Sequence, residues 1–252
     1  MSILKELTSE NDLLADYDYY NYTNDEHAHW DDLINVCWPL QKQIACKEFN
    51  DGKHLSGLNL QLPELRSFNK KLLTETGWQI KKVEGLLEVK EFYRLLGEGV
   101  FPSATLLRPR NQSTFIAEPD LFHDIQGHLP IFFNPEFATF LKVAGKTAYN
   151  HISSFDNNTP ELESAIRCWG AFGWFTWETG LVKEGDEIKA YGGAILSSSK
   201  EMQNVIESTP MSFVLDEVVN TGYSDAKMNN YFVIDSLSDL YQALESLKNL
   251  IA

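Results

Sequence analysis

Apolar residues along this chain recur mostly at intervals of three and four, and the elements they predict are helices. Leu33, Val36, Cys37 and Leu40 share one helical face, with Pro39 expected to kink or bound the segment. Residues 63–75 read as a second helix, followed by an extended Trp78-Gln79-Ile80-Lys81-Lys82-Val83 and a turn near Gly85. Asn134-Pro135-Glu136 has the make-up of a helix start: an N-cap, a proline in the first helical position and an acid in the first turn. Phe137, Phe140, Leu141 and Ala144 then line one face. Thr159-Pro160-Glu161 opens the next helix by the same logic, and Gly180 closes it. Ser198-Ser199-Lys200-Glu201 predicts a capping box ahead of Met202 to Ile206. Tyr231-Phe232-Val233-Ile234 reads as a strand and 238–250 as an amphipathic helix. The acidic, tyrosine-rich stretch 1–25 lacks such a period and is expected to form an irregular N-terminal arm. No internal repeat, low-complexity tract or linker interrupts the chain. Residues 1–252 therefore read as a single domain, mainly α with a few short β-strands.

A chain of 252 residues can bury a full core. Its net charge of -15 argues against nucleic acid and anionic membrane surfaces as partners. No apolar run reaches the ~18 residues that a membrane span needs, and Met1-Ser2-Ile3-Leu4-Lys5-Glu6 lacks the layout of a signal peptide. Cys37, Cys46 and Cys168 are an odd, sparse set, as expected in a reducing compartment, and read as small core residues. The expected setting is the cytoplasm, with small molecules as partners.

The chemistry concentrates in two places. The segment Glu118-Pro119-Asp120-Leu121-Phe122-His123-Asp124-Ile125-Gln126-Gly127-His128-Leu129-Pro130 carries two histidines, with acids crowded around the first. Farther on, Glu178 is embedded in Trp174-Phe175-Thr176-Trp177-Glu178-Thr179-Gly180-Leu181. Two imidazoles and one carboxylate are the facial set that holds ferrous iron and leaves positions open for oxygen. A spacing of five puts His123 and His128 about 140° apart on an ideal helix. Gly127 and Pro130 are therefore expected to loosen or end the helix near His128. The helix before Glu178 is apolar nearly all round, with Leu162, Ala165, Ile166 and Trp169 on one face and Phe172, Trp174, Phe175 and Trp177 besides. Such a helix is buried, and an unpaired carboxylate there is costly enough to need a partner. Arg167, the nearest preceding cation, lies about three turns away, which leaves a metal as the simplest partner. Asp120 is expected to accept a hydrogen bond from the non-ligating nitrogen of His123, with Glu118 supporting the network. His27 and His29 read as part of a solvated helix start, and His54 and His151 carry no assignment. Gly192-Gly193 lies in no dinucleotide or Walker motif, and the zinc-protease and serine-hydrolase signatures are missing.

Taken together, these blocks resemble the catalytic domain of the pterin-dependent aromatic amino acid hydroxylases over about residues 30–245, most closely the bacterial members that act on phenylalanine. The likeness also rests on Gly185-Asp186, Ile188-Lys189-Ala190-Tyr191-Gly192 and Leu196-Ser197-Ser198. It implies that His123, His128 and Glu178 bind Fe(II), and that a tetrahydropterin and O2 are consumed. The ring of a free aromatic amino acid would be hydroxylated, L-phenylalanine to L-tyrosine first. Tryptophan, another aromatic amino acid or another ring position is the alternative. The resemblance makes Arg108 the clamp for the substrate carboxylate, with Arg110 as a competing match. It makes Ser197 a support for the first histidine and Trp174 a wall of the substrate pocket. Phe92, with Gly85 and Leu87, falls on the pterin platform and loop, and Asp124 on a glutamate that reaches the pterin through water.

The chain also departs from the family pattern. Gly173 stands where a tyrosine commonly lies beside the iron, and Thr179 where a phenylalanine often follows the liganding glutamate. Ile116 and Ala117 replace a Thr-Pro pair, and the stretch around Ser153 to Asn158 is longer than expected. Gly173 and Thr179 are thus expected to reshape the ring pocket that the substrate contacts. A non-catalytic iron- or pterin-binding protein is the reading from another class. The amino acid-sensing domain and long heptad helix of the larger members have no counterpart in the sequence, so a monomer without substrate-triggered activation is expected.

Overall fold

In the computed structural model, which describes residues 22–58, 60–83, 85, 87–110, 119–222 and 230–251, helix α1 (Asn24–Ile44) starts on a capping box. Thr23 Oγ1 accepts from the Glu26 N–H at 3.3 Å, and Glu26 Oε2 accepts from the Thr23 N–H at 2.7 Å. The expected arm is therefore shorter than 1–25, and its residues 1–21 lie outside the described ones. Helix α1 runs past Pro39 to Ile44, so the proline does not bound it. Leu33 and Cys37 face the core as expected, whereas Ile34 takes the buried place and Val36 is exposed.

Helix α2 (Lys47–Ser56) is capped by Cys46, whose Sγ accepts from the Phe49 N–H at 3.4 Å. This gives a residue read as plain core a local task. Helix α3 (Leu65–Thr76) leads into β1 (Gln79–Lys82), and α4 (Val89–Glu98) into β2 (Val100–Ser103). The two strands pair in parallel, with Gln79 opposite Val100. Helix α5 (Pro135–Ile152) crosses α4 closely at Gly97 and Gly145; a methyl group on Gly145 would lie 2.6 Å from the Gly97 nitrogen. Both proline-led helix starts form as their cap chemistry predicts. Asn134 Oδ1 accepts from the Phe137 N–H at 2.9 Å, and Thr159 Oγ1 caps α6 (Pro160–Gly173) through the Leu162 N–H at 3.2 Å.

The remaining elements are β3 (Leu181–Glu184), β4 (Glu187–Ala190), α7 (Gly193–Leu196), α8 (Ser199–Glu207), β5 (Met211–Ser212), α9 (Leu215–Asn220), β6 (Phe232–Ile234) and α10 (Asp239–Leu250). Strands β3 and β4 form an antiparallel hairpin that turns at Gly185, where φ is +61°. The small sheet has the order β4-β3-β6-β5, with β6 parallel to both neighbours. The expected capping box on α8 is half made. Ser198 Oγ accepts from the Glu201 N–H at 3.3 Å, but the Glu201 carboxylate turns to the Tyr231 hydroxyl at 2.9 Å. Helix α10 buries Leu240, Ala243, Leu244 and Leu247 in the common core, while Leu250 at its end stays exposed. Among the described residues, no helix is long and apolar enough to cross a membrane.

Candidate metal centre and its cavity

The two histidines are aimed by an unusual backbone turn. Asp120 Oδ1 accepts from the N–H groups of Phe122 and His123 at 2.7 and 3.2 Å, capping the start of the helical run. Residues His123–His128 then form a π-helical turn. In its i→i+5 register, residues five apart lie one turn apart on the same side. The offset expected on a regular helix is thus reduced by widening the turn, the loosening expected from Gly127 and Pro130, and the helical run then tightens into the 3-10 turn Leu129–Phe133. Residues Trp174–Glu178 make a second π-helical turn at the end of α6 and carry the carboxylate to the same point. Gly193, at the start of α7, packs against the His128 ring, where a methyl group would lie 2.6 Å from Nδ1.

The three polar ends form a triangle. His123 Nε2 and His128 Nε2 are 3.1 Å apart, and Glu178 Oε2 lies 3.2 Å from His128 Nε2 and 3.6 Å from His123 Nε2. One face of an octahedron built on bonds of roughly 2.1 Å has edges of about 3 Å, so the set fits a single divalent ion held on one side. The protonation pattern agrees. Burial, aided by the nearby His128 charge, pushes His123 down to about 3, which leaves it the neutral imidazole that metals require. Burial opposes the charged forms of His128 and Glu178 too, yet their mutual attraction outweighs it, raising the histidine and lowering the carboxyl.

The ring of His123 is held by Ser197, whose Oγ lies 2.9 Å from Nδ1. Asp120 does not take that place, contrary to expectation. Its Oδ2 pairs with Arg108 Nε at 2.6 Å, because its other oxygen is already committed to the helix cap. Arg108 is almost fully buried, and its NH1 donates to the Ser197 carbonyl at 2.9 Å. The carbonyl of Arg108 meets His29 Nε2 at 2.6 Å. His29, expected in solvent, is therefore a buried support of the arginine, while His27 is exposed as expected. Arg110, the competing match, turns outward to Asp25 and Asp32.

In front of the triangle lies a cavity of about 870 Å³. Its wall brings together Arg108, Asp120, Asp124, Gly173 and Trp174, and on another stretch Phe92, Gly85 and Leu87. Burial pushes Asp124 up to about 8, partly offset by the Ala104 N–H that donates to its Oδ2 at 2.7 Å. Thr179 does not join the wall. It is fully buried and its hydroxyl bonds back to the Trp174 carbonyl at 2.6 Å, closing the π-helical turn. Glu118, Ile116 and Ala117 lie outside the described residues. Tyr93 and Trp177 are cavity residues that the sequence reading did not single out.

Two imidazoles and a carboxylate on one side of an ion position, with a large cavity before them, match the facial donor set of the mononuclear non-haem iron oxygenases. A family model for biopterin-dependent aromatic amino acid hydroxylases matches residues 12–252. A phenylalanine-4-hydroxylase of Vibrio cholerae is 36% identical over 236 residues, covering 91% of this chain and 78% of its own. The fold is similar to that of Chromobacterium violaceum phenylalanine hydroxylase with bound iron(III) and 7,8-dihydrobiopterin. That likeness has a TM-score of 0.83 at 30% identity and covers 96% of this chain and 88% of the other. The iron- and phenylalanine-bound structure from the same organism gives 0.81 at 30% identity over the same shares. The chain belongs to the biopterin-dependent aromatic amino acid hydroxylase family.

Proposed function

We propose that this protein is a tetrahydropterin-dependent monooxygenase that hydroxylates free L-phenylalanine to L-tyrosine at a ferrous ion held by His123, His128 and Glu178. The observation that carries the reading is the triangle of donor atoms opening onto the cavity. Bound Fe(II) and tetrahydropterin supply the reductive activation of O2. The chain's own part is to bind, orient and keep water out.

Arg108 binds the substrate carboxylate. Its guanidinium plane is set beforehand by Asp120 on Nε and the Ser197 carbonyl on NH1, so little entropy is lost on binding. Trp174 offers an apolar surface to the ring, and Phe92, Gly85 and Leu87 hold the pterin on their side of the cavity. With Nε2 facing the ion, His123 carries its proton on Nδ1 and donates it to Ser197 Oγ, which fixes the tautomer. Asp124 lines the cavity with its Oδ2 held by the Ala104 N–H, which leaves its other oxygen to hydrogen-bond the heterocycle.

The Glu178→Ala variant tests this reading. It is expected to lose both stoichiometric ferrous iron and tyrosine formation while remaining folded; retention of either at the wild-type level contradicts the assignment. We also read the protein as a cytoplasmic monomer. Most of the apolar face of helix α10 packs into the core, and the three cysteines are unpaired thiols. A dimer or tetramer in sedimentation would oppose the monomer.

A further inference from the structure

We propose that Trp177 is a positioning and specificity-determining residue of the cavity, its indole forming the wall against which the bicyclic ring of the pterin lies. The proposal rests on the pterin-dependent reading above. It starts from a close fit between two residues of the second π-helical turn. A methyl group built on Gly173 would lie 2.9 Å from Cε2 of Trp177 and overlap Cζ2. The indole thus fills the space that any side chain at 173 would occupy.

The ring cannot move aside freely. It is nearly buried, meets Tyr93 edge-on at 6.4 Å and Phe172 at 6.1 Å, and belongs to the residue just before Glu178. Tyr93 is itself pinned, its hydroxyl donating to the Trp169 carbonyl at 2.8 Å, and its ring meets Phe92 at 5.5 Å. Phe92, Tyr93 and Trp177 form one aromatic chain, and all three line the cavity. Gly170 and Gly173 add no side chains to the α6 part of the wall, so the indole shares with Ile166 and Trp174 the setting of the width there. A flat, rigid aromatic surface suits a flat heterocycle, and one such packing contact is worth a few-fold in affinity.

Calorimetric titration of the iron-loaded protein with 7,8-dihydrobiopterin, and separately with L-phenylalanine, tests this. Trp177→Val is expected to weaken dihydrobiopterin on the order of five-fold, with Trp177→Phe recovering most of the loss. Affinity for L-phenylalanine and iron content should stay within about two-fold, a split that general loosening of the fold would not give. Gly173→Ala should weaken dihydrobiopterin in the wild-type background and be tolerated beside Trp177→Val, where the overlap is gone. If Trp177→Val does not fold, Trp177→Phe and Gly173→Ala decide. Unchanged dihydrobiopterin affinity in the variants, or a loss that falls on L-phenylalanine instead, overturns the proposal. Failure of the wild type to bind dihydrobiopterin at all overturns the pterin-dependent reading and this wall with it.

Discussion

Replacing Asp120 with alanine removes two things at once, and the structure separates them. Its Oδ2 is the carboxylate partner of Arg108, with side-chain exposures of 4% and 1%. Its Oδ1 caps the run that carries His123. Removing one partner of a buried ion pair costs about 3–5 kcal/mol, and losing an N-cap about 1 kcal/mol. Asp120→Ala should therefore destabilise the iron-free protein by roughly 4–6 kcal/mol, a large share of the 5–15 kcal/mol typical of a domain. Asp120→Asn keeps an oxygen for the cap but turns an amide toward Arg108, so it should recover about 1 kcal/mol of that loss. Because the carboxylate also fixes the guanidinium plane, Asp120→Asn should weaken L-phenylalanine binding by about ten-fold or more. Urea denaturation at pH 7 with a constant m-value measures the first effect and calorimetry the second. A cost below about 1 kcal/mol for Asp120→Ala would refute the claim that this pair organises the site.

Ser197→Ala should lower ferrous ion affinity by about 10–100-fold, as loss of a ligand's supporting hydrogen bond does; a competition titration showing less than a two-fold change would contradict this. Gly52→Ala would drive a methyl group into the Pro130 carbonyl, 2.7 Å from its carbon, just beyond His128. A melting experiment should register a loss of about 2–3 kcal/mol, and an unchanged melting temperature would show that the α2 contact is loose. Lys53 is buried, donates to Gln41 Oε1 at 2.5 Å and sits 3.9 Å over the Trp38 ring. Burial pushes it down from 10.5 to about 7, so the folded protein binds fewer protons than the unfolded one between those two values. The stability of wild type relative to Lys53→Met should therefore rise with pH across that window, by at most about 1.4 kcal/mol per unit, and be flat below it. A gap that stays constant from pH 7 to 9 would show that the amine is ordinary.

Much of the fold could be read from local chemistry. Asn134-Pro135 and Thr159-Pro160 announced their helices because a cap and a fixed proline φ act within a few residues. The apolar stripe of α10 was legible for a similar reason, since periodicity and burial coincide there. The donor set of the metal centre was legible too, from two histidines and a carboxylate set in apolar surroundings. The device that aims them was legible only in part: Gly127 and Pro130 marked a loosening near His128, but not its form. A π-helical register is a choice of hydrogen bonds that leaves the residue pattern unchanged, so His123 and His128 looked misaligned.

Partners distant in sequence were equally hidden. His29 meets a carbonyl 79 residues away, and Glu201 leaves its capping role for Tyr231. Asp120 carried a readable signal as an N-cap just before a helical run, and that role, together with Arg108, is what took it from the histidine ring. Thr179 was expected at the substrate because of its place in the chain, but its hydroxyl serves the backbone turn.

The most direct test of the account is product analysis. The Fe(II)-loaded protein would be given O2, a tetrahydropterin and either L-phenylalanine or L-tryptophan, and the products separated by mass spectrometry and chromatography. The account predicts para-tyrosine from phenylalanine in wild type and none from Glu178→Ala. Product from tryptophan alone, another tyrosine isomer, or pterin oxidation with no hydroxylated amino acid would contradict it.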